Sequence, residues 1–121
     1  MLASLKSTLT PFSAQNRDCW VYVDDCAEQL VRLALKPRLA HFAYNSSGHS
    51  IRAGDLANVV RRWVPDAEIT FDESKPATPL VDDLDGRRMI EEIGFTPRPI
   101  EDGVLAHLNE ARAEASLPPL G

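Results

Sequence analysis

"NRDCWVYVDDCAEQLVRLAL", Asn16 to Leu35, decides the fold class of this chain. Its first half is polar and then rich in aromatic and β-branched residues, so Cys19–Val23 reads as a short strand. Two aspartates follow. Asp25 with Glu28 three positions on makes a capping-box pattern for a helix, and Pro37 ends that helix. Along it Ala27, Leu30, Val31, Ala34 and Leu35 recur at helical spacing, while Glu28, Gln29 and Arg32 take the other side. The periodicity predicts that the apolar side faces the core and the polar side faces water.

Working outward, "HFAYN" (41–45) reads as a second strand and "SSGHS" (46–50) as the turn after it. Ser50 is placed to cap a second helix, whose stripe is Ala53, Leu56, Ala57, Val60, Trp63 and Val64 and whose end is Pro65. Arg61 and Arg62 occupy its last turn, where the helix dipole favours cations. "EITF" (68–71) reads as a third strand and 72–79 as a loop. Asp83 is a candidate cap for a third helix carrying Met89, Ile90 and Ile93, stopped by Gly94. Pro99 suits the first turn of a fourth helix, with Val104, Leu108, Ala111 and Ala115 inward. Residues 2–9 have the spacing of one more short helix, and 116–121 form a tail. Alternating strands and helices indicate an α/β chain with βαβ crossovers, hence a small parallel sheet of about three short strands with four to five helices. At 121 residues, this is one domain, 1–121.

Composition narrows the function. A net charge of -5 argues against nonspecific nucleic-acid binding. No run reaches the roughly 18 apolar residues of a membrane helix, and the N-terminus makes a poor signal peptide, so no membrane partner is expected and a cytoplasmic location follows by default. Cys19 and Cys26 read as ordinary thiols.

The chemical motifs are mostly near misses. The glycines at 48, 54, 86, 94, 103 and 121 form no dinucleotide fingerprint. Tyr22 and Tyr44 are followed four residues on by Cys26 and Gly48, so neither has the lysine that would lower a catalytic phenol's pKa. Ser46, Ser47, His49 and Ser50 read as a polar turn rather than a nucleophile and its base. His41 and His107 stand alone at surface or boundary positions. "VDDLDGRRMIEE" (81–92) approaches a calcium loop, but Val81 stands where the first carboxylate is needed. Arg17, beside the strand, either grips a phosphate bidentately or forms a salt bridge with Asp18, Asp24 or a helix C-terminus.

Three segments together resemble a known family. "RDCWVYVDDCAEQLVRLAL" is similar to the Arg-Asp-aromatic-Val-(His/Tyr)-Val-Asp-Asp-x-Ala segment of extended short-chain dehydrogenase/reductases, the NAD-dependent epimerase/dehydratase group. "FAYNSSGHSIRAGDLANVV" resembles that group's Tyr-Asn-x-x-Gly strand and Ser-capped helix. "MIEEIGFTPRPIEDGVLAHL" resembles its Leu-Gly-(Phe/Trp)-x-Pro segment and following helix. The three cover about residues 16–114. The resemblance implies the C-terminal, substrate-binding part of an incomplete Rossmann-type enzyme, lacking the cofactor domain and the catalytic Tyr-Lys pair. It implies NAD or NADP for a full-length relative and no coenzyme held by this chain. Arg17 matches the family arginine that contacts the diphosphate or sugar of a sugar nucleotide. Asp24, Asp25 and Ala27 would shape the strand-helix junction, Gly48 would permit the turn, and Asn45 would tie the strand end to it. The 41–45 strand would join a sheet this chain lacks. The expected partners are therefore a sugar nucleotide or other small-molecule substrate, and either the missing cofactor domain or further copies of the chain. The alternative is a stand-alone oligomerising module of the same ancestry without catalysis.

Overall fold

The computed structural model describes residues 12–78 and 83–121. It shows a small mixed α/β protein. In order come β1 (Arg17–Trp20), α1 (Val23–Leu35), β2 (His49–Arg52), α2 (Ala53–Trp63), α3 (Arg87–Ile93) and α4 (Ile100–Glu114). The expected helix at 2–9 lies outside the described residues.

The sheet differs from the expectation. Among the described residues it has two strands, and they run antiparallel, with Arg17 opposite Arg52, Asp18 opposite Ile51, Cys19 opposite Ser50 and Trp20 opposite His49. β1 therefore begins on the polar Arg17, ahead of the β-prone "WVYV", because ladder pairing and not propensity defines a strand. Residues 41–45 are not a strand. The Tyr44 hydroxyl folds back to accept from His41 N at 2.9 Å, and the Ala43 carbonyl accepts from Arg88. Residues 68–71 are not a strand either: the Ile69 carbonyl is taken by Arg61 Nη2 at 3.0 Å and Asp72 N donates to Phe12 O at 3.0 Å.

The helix starts also differ, for one reason. Ser50 does not cap α2, because chain backbone already fills that role: Ala53 N donates to Asn16 O at 2.7 Å and Gly54 N to Ala14 O at 2.9 Å. With its first amides satisfied, the helix needs no side-chain cap. Asp25 is not a cap but the third residue of α1, behind Tyr22 at the N-cap position. Asp83 does not cap α3. Gly86 holds that place, and Asp85 accepts from Arg87 N at 3.1 Å. Gly94 ends α3 in the left-handed conformation, as read, at φ 63°. Pro99 stands just before the first turn of α4.

α2 packs on β2 and α4, and α1 on α3. Among the described residues the buried hydrophobic side chains are Ala57, Val59 and Met89. Of α4 only Gly103 is buried, so the expected inward row Val104, Leu108, Ala111 and Ala115 is at best half covered.

The largest correction concerns α1. Its apolar stripe is present but faces outward: Val23, Leu30, Val31 and Leu35 are exposed, Leu35 at 78%. The buried residues of this helix are Asp25 and Gln29. Gln29, expected to face solvent, is 1% exposed. Its carboxamide pairs with the peptide of Ser47 in both directions, accepting from Ser47 N at 2.7 Å and donating to Ser47 O at 3.0 Å. A buried amide is tolerated when each polar atom is satisfied, and here one side chain imitates a neighbouring strand.

Candidate functional site

Two constellations of polar groups stand out. The first joins the start of α1 to the α3–α4 connection. The Asp25 carboxylate, 4% exposed as a residue, accepts from Arg98 backbone N at 2.9 Å and from its guanidinium at 3.0 and 3.1 Å. The Arg98 guanidinium lies 4.5 Å from the centre of the Tyr22 ring. The Tyr22 hydroxyl donates to Glu110 Oε1 on α4. His49 Nε2 lies 2.7 Å from Arg98 O, and since a carbonyl only accepts, Nε2 carries the proton. Gly103 lets α4 lie close to Tyr22 here, since a Cβ would come 3.2 Å from Tyr22 Cβ, a tight approach.

The Glu110 hydrogen bond, with smaller contributions from partial burial and the Asp24 charge, pushes the Tyr22 phenol up to about 12. A raised acid pKa in the folded state adds stability that is present below the ordinary phenol value near 10 and is lost as pH rises through about 12. Ultraviolet phenolate titration should therefore show a late tyrosine transition. Glu110→Gln should bring it back towards the ordinary range, and Tyr22→Phe should remove it. A titration unchanged in Glu110→Gln would mean that this hydrogen bond does not form in solution. A phenol held protonated by a carboxylate, beside a guanidinium already committed to Asp25, is a structural clamp and a poor general base.

The second constellation is one face of the sheet. Side chains alternate along a strand, and residues directly opposite share a face. Arg17, Cys19, Ser50 and Arg52 therefore stand together, and Asp18, Trp20, His49 and Ile51 stand on the other face. Arg17 has no ion-pair partner within 4 Å among the described residues, so the salt bridges to Asp18 and Asp24 do not form. Its Nη1 makes long contacts to Ser50 O at 3.5 Å and Ser50 Oγ at 3.4 Å. The phosphate-binding expectation for Arg17 is thus left with a half-buried guanidinium and no carboxylate on it. Arg52, not singled out from the sequence, is exposed and makes no hydrogen bond or ion pair among the described residues. The alternation in "RDCW" and "HSIR" would have paired the two arginines had the strands been read as 17–20 and 49–52.

Elsewhere the expected residues serve packing. A Cβ on Gly48 would meet Trp20 O at 2.7 Å, so glycine lets two backbones meet. A Cβ on Gly86 would meet Ser47 Cα at 2.6 Å, and one on Gly54 would meet Ala14 at 3.2 Å. These glycines face the chain's own atoms and do not fit a cradle for a coenzyme pyrophosphate. Asn45 Nδ2 donates to Asp85 O at 3.4 Å, tying 45 to the approach of α3 rather than to a strand end. Ala43, Asn45, Asp85 and Arg88 line a cavity of about 270 Å³. Its Asp85 carboxyl is held down at about 2 by hydrogen bonds from Arg87. Cys19 and Cys26 are free thiols. Among the described residues no group of three His, Cys, Asp or Glu side chains could hold a metal, and the first position of the calcium-like loop, Val81, lies outside them. No helix among them is long and apolar enough to cross a membrane.

The chain matches no family model, no curated protein and no solved structure.

Proposed function

We propose that this chain is the substrate-binding, C-terminal portion of an NAD(P)-dependent epimerase or dehydratase, with Arg17 holding the diphosphate of a sugar nucleotide or a similarly charged substrate. The observation that carries this reading is the outward apolar face of α1. A helix that buries Asp25 and Gln29 and presents Leu30, Val31 and Leu35 to water is built to be covered by another body. A missing cofactor domain is such a body. The three sequence segments quoted above supply the family, and Arg17, with no carboxylate on it among the described residues, supplies the ligand class. Phe42, fully exposed within the 41–45 segment that the family resemblance assigns to a larger sheet, fits the same account. On this reading the nicotinamide belongs to the missing domain, and the chain alone performs no hydride transfer. Its task is to bind and orient the substrate.

Calorimetry with UDP- and dTDP-sugars and with NAD tests this. Sugar nucleotide should bind, Arg17→Ala should weaken that binding by about tenfold or more, and NAD should not bind. Micromolar NAD affinity would contradict the reading. The same α1 face favours a second reading, an oligomerising module without catalysis, which predicts tight self-association and no binding of sugar nucleotide.

A further inference from the structure

The register of the two strands puts Arg17 directly opposite Arg52. Like charges directly opposite on an antiparallel pair repel and are destabilising. Their Cβ atoms are held about 5 Å apart by the ladder. Compensation normally comes from a carboxylate between them, and none is within 4 Å of either guanidinium among the described residues. Asp18, the nearest acid in sequence to Arg17, is on the opposite face by alternation. Asp55, one turn into α2, forms no ion pair with Arg52. Among the described residues Arg38, Arg61, Arg88 and Arg112 also hold no carboxylate, but none of them faces a second arginine across a strand pair. The remaining arginines, Arg32, Arg62, Arg87 and Arg98, are paired with acids. Two arginines directly opposite on one sheet face, with no acid beside either among the described residues, offer a place where an anion would relieve their repulsion.

We infer that Arg17 and Arg52 form a two-arginine clamp for the diphosphate of a nucleoside diphosphate, with Arg52 a ligand-binding residue in its own right. This deepens the substrate reading given above and rests on it. Two guanidinium forks on adjacent strands can each take one phosphoryl group. Arg17 is steadied by Ser50, whose carbonyl and hydroxyl it touches. Arg52, with no such tether, is free to swing onto the second phosphate. A monophosphate would occupy only one fork and should bind more weakly.

The test is calorimetric titration of the full chain with UDP, UMP and inorganic pyrophosphate. It uses wild type, Arg17→Ala, Arg52→Ala and Arg52→Lys, with circular dichroism and melting temperature as folding controls. The clamp predicts that UDP binds more tightly than UMP, that each alanine variant loses about tenfold or more in UDP affinity, and that Arg52→Lys recovers part of the loss. Without ligand, Arg52→Ala should melt about 1–4 °C higher than wild type, since repulsion is relieved. Full UDP affinity in Arg52→Ala with a loss in Arg17→Ala would overturn the clamp and leave the Arg17 reading standing. Pyrophosphate binding as tightly as UDP, lost in both variants, would support the clamp and remove the nucleoside from its specificity. No binding of any of the three by wild type would overturn clamp and substrate reading together.

Discussion

Gln29→Leu is expected to lower stability by about 2–6 kcal/mol, the sum of two buried backbone groups left without partners at about 1–3 kcal/mol each. Leucine is no smaller than glutamine in volume, though one bond shorter, so the loss would not be mainly that of a cavity. It would be that of Ser47 N and Ser47 O, which pair with the carboxamide inside the protein. On a domain of this size that corresponds to a fall in melting temperature of about 8–24 °C, and the loss is a large part of the roughly 5–15 kcal/mol that holds a typical domain folded. Gln29→Glu isolates the electrostatic part. A carboxylate there would face the carbonyls of Ser47 and Asp25, both of which now accept from Nε2. Burial and those oxygens should raise its folded pKa above the ordinary value near 4.3. A raised folded pKa means the variant keeps its stability below about pH 4 and loses it as pH rises through the folded value. Melting curves at acid and neutral pH should therefore diverge for Gln29→Glu much more than for wild type. If Gln29→Leu melts with wild type, the 46–48 segment is not anchored to α1 as described.

This residue also shows where sequence patterning stops. α2, α3 and α4 were legible because punctuation marks them: Pro65 beyond α2, Gly94 after α3, Pro99 before α4. α1 was legible as a helix, and its two faces were sorted correctly by polarity. Which face turns inward was not, because periodicity reports that two faces differ and is silent on what each will meet. Glutamine reads as a solvent residue unless a peptide is waiting for it, and the Ser47 peptide arrives from 18 residues on. The strands failed for a related reason. "HFAYN" and "EITF" have the composition of strands, but a strand exists only where a second backbone lies beside it. The polar "RDCW" and "HSIR" found each other instead. Arg17 was visible as a candidate from its neighbourhood in sequence. Arg52 needed the register, which no local pattern carries.

The isolated chain is expected to self-associate through α1, and Leu30→Asp or Leu35→Asp to render it monomeric while leaving the melting temperature within a few degrees. Both residues are mostly exposed, at 61% and 78%, so the monomer loses little packing when they change. An association that covers them removes about 1.5–3 kcal/mol of unfavourable exposure per side chain, and a charge placed there would have to be buried without a partner. Each substitution should therefore weaken self-association by about tenfold or more. Val31 and Val23, also exposed on α1, extend the same apolar face. Sedimentation of wild type and both variants over a range of concentrations reads this directly. A wild type that remains monomeric at high concentration would show that the α1 face is not sufficient to hold a second copy. Binding of sugar nucleotide retained by the monomeric variants would separate the two proposals for this chain, because the sheet face bearing Arg17 would then work without a second copy on α1. Binding that disappears with association would instead tie the ligand to the assembled form, and would make covering α1 a condition for holding the sheet in a competent arrangement.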